Sequence, residues 1–181
     1  MDIKVSKQGL VQLSGKEQKV FLGMTGFDHK PEAEAINVGN FNNGIASNVI
    51  SSTGEYEIGD VEVMAWEARK TREGKANIFK VVLDEIHLSY IHAPLEDMDK
   101  QGWDLINGAH LVLINFEEKY KDLSKVINKL SPHVVIALGG EKSVVEKATD
   151  LQVAGTESQY KFDSKDFAED EPVIKLYILS N

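Results

Sequence analysis

Two short apolar runs, Leu111-Val112-Leu113-Ile114 and Val134-Val135-Ile136-Ala137-Leu138, constrain the fold of this chain more than any other feature. Neither alternates with polar residues, so each reads as a strand buried on both faces, the kind found in a parallel sheet covered by helices. Between them Leu123, Val126, Ile127 and Leu130 recur at i, i+3, i+4 and i+7, which gives a helix one apolar stripe. Ser131-Pro132 ends that helix, because proline lacks the N–H and restricts the residue before it. Strand, helix and strand in this order make a βαβ unit with a right-handed crossover. A weaker helix is expected over residues 141–148, and a last strand over residues 173–179 after an acidic turn at 166–171.

The first half of the chain has another period. Ile3-Lys4-Val5, Leu10-Val11-Gln12-Leu13 and Lys19-Val20-Phe21-Leu22 read as strands of a meander that turns at Gly15-Lys16-Glu17. Residues 23–48 are rich in glycine and asparagine, with five Asn between Asn37 and Asn48, and read as loop around a short strand at most. Tyr56-Glu57-Ile58 and Val61-Glu62-Val63 flank Gly59-Asp60, a hairpin in which glycine supplies the positive φ. Residues 78–83 and 86–91 repeat that design around Asp84-Glu85. With no internal repeat and no linker rich in Pro or Ser, residues 1–181 are expected to form one α/β domain.

Composition then removes whole classes of function. Twenty Lys and Arg against twenty-nine Asp and Glu leave a net charge of −9, which disfavours a non-specific clamp on nucleic acid. No cysteine is present, so disulfides, thiolate zinc sites, iron–sulfur clusters and cysteine nucleophiles are excluded, and a reducing cytoplasmic setting is expected. The chain opens Met1-Asp2-Ile3-Lys4 without a basic and apolar leader, and no apolar run approaches the ~18 residues of a membrane span. Neither membrane nor nucleic acid is an expected partner.

The five histidines invite a metal reading and give little support to it. His87 and His92 fall on opposite faces of one extended segment, a poor pair for a single ion. His29 follows Asp28 in a turn, and His110 and His133 open strands; all three read as solvated or edge side chains. Glu96, Asp97 and Asp99 read as an acidic helix start, where carboxylates suit the positive end of the helix dipole. Gly139-Gly140-Glu141-Lys142-Ser143 reads as a tight strand-to-helix turn, since it lacks the glycine that precedes the lysine of a phosphate-binding P-loop. Ser47, Ser51 and Ser52 have no His and acid at readable spacing, and Trp66 and Trp103 read as core.

One segment carries more. Thr53-Gly54-Glu55-Tyr56-Glu57-Ile58-Gly59-Asp60-Val61-Glu62-Val63 resembles a Pro-Gly-Glu-Tyr-Glu-Ile-x-Gly-Val stretch of the metallo-β-lactamase fold hydrolases, in the branch that includes the ascorbate-lactone hydrolase-like proteins. The order of pieces continues to resemble that branch through Asn77-Ile78-Phe79, His87-Leu88, Pro94-Leu95, Ala109-His110-Leu111 and Pro132-His133-Val134. The resemblance covers most of residues 1–150 and implies a compact four-layer αββα sandwich.

The resemblance also implies a set of metal ligands, and this sequence departs from all of them. The family's His-x-His-x-Asp-His loop falls on Asn40-Phe41-Asn42-Asn43-Gly44-Ile45, its later aspartate on Tyr90 and its final histidine on Gly139. A catalytic zinc needs imidazole or carboxylate and lowers the pKa of bound water from ~16 to ~7; amide, glycine, isoleucine and phenol do not supply that. The expectation is therefore a protein without metal or cofactor, a pseudoenzyme in which Asn40, Asn42, Gly44, Ile45, Tyr90 and Gly139 line a former active-site pocket or fill it. Its role would be binding or assembly, with a second copy or another protein as partner. Two other readings stand beside it: a hydrolase with a relocated site at His87, His92, Glu96 or Asp97, and a sensor that takes an unidentified small molecule into the former pocket.

Overall fold

The computed structural model describes residues 1–6, 10–23, 35–39, 41, 49–67, 78–91, 98–116, 123–162 and 173–180. In the first sheet β1 (Asp2–Val5), β2 (Val11–Ser14) and β3 (Lys19–Gly23) form the antiparallel meander that their alternation predicts. Two parallel strands, β4 (Ile36–Gly39) and β5 (Val49–Ile50), extend it on one side, and β13 (Gln159–Lys161) pairs antiparallel with β1 on the other. β4 is a short strand inside the stretch read as loop around a short strand at most. Its Asn37 is fully buried and its amide donates to the Ala35 carbonyl at 2.9 Å, so a polar residue is accommodated inside without an unmet hydrogen bond.

The second sheet is larger. β6 (Gly54–Ile58), β7 (Val61–Trp66), β8 (Ile78–Leu83) and β9 (Ile86–Ile91) run antiparallel as the two predicted hairpins. From β9 onward the pairing is parallel, through β10 (Leu111–Asn115), β11 (Val134–Leu138), β14 (Lys175–Leu179) and β12 (Val153–Glu157). Both hairpin turns use the left-handed region, Gly59 at φ 60° and, without glycine, Asp84 at 52° and Glu85 at 65°. Asp84 holds its strained turn against the first sheet, because its carboxylate accepts the Lys16 N–H at 3.0 and 3.2 Å.

The unbroken apolar runs are explained by two cores on either side of β10 and β11. Leu111, Leu113, Val134 and Ile136 pack between the sheets with Leu22 and Val38. Their alternates Val112, Ile114, Val135 and Ala137 face the helices, with Leu123 and Ile127. Those helices are α1 (Lys100–Ile106), α2 (Leu123–Leu130) and α3 (Lys142–Thr149). α2 ends before Ser131-Pro132 as expected, and α3 lies one residue later than expected.

The described residues thus supply three layers, sheet, sheet and helices, in a mixed α/β architecture. Among them no helix covers the outer face of the first sheet. β12 and β13 were not anticipated because they are edge strands with mostly exposed, polar residues, whereas α1 starts from its cap Asp99, within the stretch read as an acidic helix start, although it buries only Gly102 and Ile106. The chain passes from one sheet to the other at Ser158, whose carbonyl accepts the Val5 N–H at 3.0 Å. Among the described residues no helix is long and apolar enough to cross a membrane.

Candidate functional site

The C-terminal ends of β3 and β4 and those of β9, β10 and β11 meet at one edge of the two sheets. Tyr90 joins them. It sits on the inter-sheet face of β9, fully buried, and its hydroxyl donates to the Gly23 carbonyl at the end of β3, 3.2 Å away. The ring lies nearly parallel to Phe79 of the neighbouring strand, with centroids 6.1 Å apart and planes at 24°. Gly23 and Gly39 pair at the ends of β3 and β4, where a Cβ on Gly39 would come within 2.7 Å of that same Gly23 carbonyl oxygen. Only glycine permits this approach, and Gly39 also has φ 107°.

At the end of β11, Gly139 and Gly140 have φ of 80° and 96° and lead into α3 through Glu141, which caps the helix in an extended conformation. A Cβ on Gly140 would fall 2.6 Å from Phe116 Cδ1 and 2.7 Å from Val145 Cγ2. The segment is the tight strand-to-helix turn that the sequence suggests. Between Tyr90 and Gly139, Asn115 ends β10 opposite Leu138, with 9% of its surface exposed. By alternation with Leu111 and Leu113 it belongs to the inter-sheet face.

Of the six positions read as a former ligand set, the structure brings Tyr90 and Gly139 to this edge. Asn40, Asn42, Gly44 and Ile45 lie outside the described residues, as do His29, His92, Glu96, Asp97 and Ser47. The two that are described do not fit a zinc ion. A buried phenol whose proton is held by a carbonyl is not a ligand anion, and glycine has no side chain to offer. Among the described residues no three His, Asp or Glu are grouped so as to hold a metal ion. Asp99 serves the fold, capping α1 by accepting from Gly102 N at 2.8 Å and from the Trp66 indole at 3.2 Å. Trp66 and Trp103 pack against the helix-side core, and Lys129 Nζ stands 3.9 Å from the Trp103 ring centre.

At the opposite end of the same parallel strands lies a cluster that residue-by-residue reading missed. His87, His110 and His133 stand side by side at the starts of β9, β10 and β11, half-buried on the helix-side face. Their ring centroids are 5.0 and 5.9 Å apart in sequence order. The His87 N–H donates to His110 Nδ1 at 3.0 Å. Burial pushes the His110 pKa down, and the neighbouring His87, His133 and Lys80 push it further. His87 is lowered by burial and then by Lys80, partly offset by Glu62. The three are evenly spaced in the chain, a signal the sequence does contain.

No protein-family model matches this chain, and no curated protein matches it. Among solved structures, it is similar to a Thermotoga maritima protein described as a zinc-dependent hydrolase of the metallo-β-lactamase superfamily. The likeness has a TM-score of 0.67 at 15% identity and covers 99% of each chain. The chain therefore has a metallo-β-lactamase-like fold.

Proposed function

We propose that this chain is a non-catalytic protein on a metallo-β-lactamase-like scaffold, of the branch that includes the ascorbate-lactone hydrolase-like proteins, acting as a binding or assembly module without bound metal. The observation that carries the reading is Tyr90. Where the resemblance would put a ligating aspartate, this chain has a phenol built into the core and bonded across to Gly23. Function follows the chemistry of a site and not the fold that carries it. The side chains of Asn40, Asn42, Gly44 and Ile45 agree with it, being neutral amides, hydrogen and alkyl where anionic or imidazole ligands would be needed. The same reading takes the whole scaffold as a four-layer αββα sandwich, cytoplasmic, with a second copy or another protein as partner. Elemental analysis of protein purified without chelator tests it. Metal well below one ion per chain is expected, and stoichiometric zinc, manganese or iron would overturn the proposal.

A second reading rests on Asn115. An amide nearly buried at the end of β10, beside Tyr90 and Gly139, is a fitting contact for a neutral polar small molecule in a sensor. A thermal-shift screen against neutral metabolites should then give a stabilising compound whose effect is lost in Asn115→Leu. A screen without such a compound counts against it.

A further inference from the structure

The His87, His110 and His133 row takes no part in the proposed function, and its geometry restricts what it can do. The rings run in line across three strands and do not surround a point, with neighbouring centroids 5.0 and 5.9 Å apart. His110 Nδ1 accepts the His87 N–H at 3.0 Å, so a neutral His110 carries its proton on Nε2 and has no lone pair left for an ion. Metal binding by the row does not fit. Proton binding does.

We propose that the His87, His110 and His133 row is a pH-sensitive latch on the starts of β9, β10 and β11, closed while the His110 ring is neutral and released when it takes up a proton. A protonated imidazole bears N–H at both nitrogens. Nδ1 would then point a donor at the donor of His87, and the bond between them is lost. The same backbone is tied at this level by a run of main-chain bonds, His110 N to His87 O at 2.8 Å, His133 N to His110 O at 2.9 Å and Lys175 N to His133 O at 3.0 Å. Losing the ring bond weakens that run at the point where α1 connects to β10.

Among the described residues, the charged groups that shift the pKa values of the His87 and His110 rings come from the sheets. Lys80 on β8 and the other two histidines oppose a charge on His110, and Glu62 on β7 favours one on His87. The chain that leads into β10 and β11, Ile106-Asn107-Gly108-Ala109 and Leu130-Ser131-Pro132, contains no titratable side chain. A lowered imidazole binds protons less readily folded than unfolded. Its contribution to stability is therefore complete above the ordinary value of 6.5 and is lost as pH falls from there through the folded-state value.

Imidazole and amide NMR on the full chain tests the latch. At about pH 7.5 His110 Nδ1 should resonate as an unprotonated acceptor, and on titration toward about pH 5 the hydrogen-exchange protection of the His87 amide should fall, approaching tenfold per pH unit within the window. His110→Asn keeps an acceptor near the Nδ1 position and does not titrate, so its His87 protection should stay level. His133→Gln removes one neighbouring positive charge and should move the His110 midpoint upward. A proton on His110 Nδ1 at the higher pH, an equal fall of protection in His110→Asn, or an unmoved midpoint in His133→Gln would each overturn the proposal.

Discussion

β9, β10 and β11 carry opposite chemistry at their two ends. At the C-terminal ends the inter-sheet face is closed by a phenol bonded to a carbonyl of the other sheet and by glycines whose backbones approach closely. At the N-terminal ends the helix-side face holds three half-buried imidazoles. His87 and Tyr90 are an odd number of residues apart on one strand, and so are His110 and Leu113, and His133 and Ile136. Alternation therefore puts each histidine on the face opposite its partner. Polar groups survive on the helix side because α1 and α2 end before β10 and β11 begin, which leaves those strand starts half-covered. The sandwich has no such gap at Tyr90. At one edge Tyr90 is packed as core, and the opposite edge is where protons can act.

The largest expected effect tests whether the C-terminal edge is core. Tyr90→Ala should destabilise by about 3–5 kcal/mol, the range for removing a large buried aromatic side chain. Urea denaturation measures it; a loss under about 1 kcal/mol would mean a soft, pocket-like edge and would remove the contrast. Gly140→Ala comes next. It forces a Cβ onto Phe116 and Val145 at φ 96°, and strained backbone of that kind alone costs about 1–3 kcal/mol. An unchanged melting curve would show that the turn into α3 is loose.

Tyr90→Phe tests the hydrogen bond to Gly23. It keeps the ring on Phe79 and leaves the Gly23 carbonyl without its phenol donor, an expected loss of about 1–3 kcal/mol. This loss should be the same at pH 7.5 and pH 5, because phenols ordinarily titrate at ~10, far above that interval, whereas the histidine row weakens over it. Equal pH dependence at both edges would erase the distinction between them.

How much of this could be read in the sequence depends on how many chain segments a feature needs. β10, α2 and β11 announce themselves because their pattern is local, apolar on both faces or along one stripe. The hairpins around Gly59-Asp60 and Asp84-Glu85 are equally local. α1 shows only its start: Asp99 is legible as part of an acidic helix start, but the helix body buries only Gly102 and Ile106, too little periodicity to read its extent. Tyr90 could be placed near the right edge, but its role as a closing contact requires Gly23, far away in the other sheet. The histidine row is the clearest case. Alone, His110 and His133 read as solvated or edge side chains and His87 as half of a poor metal pair with His92, and only the parallel register of β9, β10 and β11 makes the three neighbours. Their even spacing points that way, yet it gains meaning only once three successive parallel strands are known to lie side by side.

The smallest effect separates the imidazoles from a cation of the helix layer. Lys129, in the last turn of α2, sits over the Trp103 face, and α2 leads directly through Ser131-Pro132 to His133. Lys129→Ala should cost about 0.5–1 kcal/mol, the range for an exposed cation–π contact. A lysine keeps its charge throughout the range in which histidine titrates, so that loss should not vary between about pH 7.5 and pH 5. If the variant instead shared the pH dependence of the wild-type edge, or abolished it, the proton response of this end of the sheet would belong to the helix layer, and the three histidines would be bystanders. A constant offset places the response in the row itself, where the His87 to His110 bond is a contact that a proton must break.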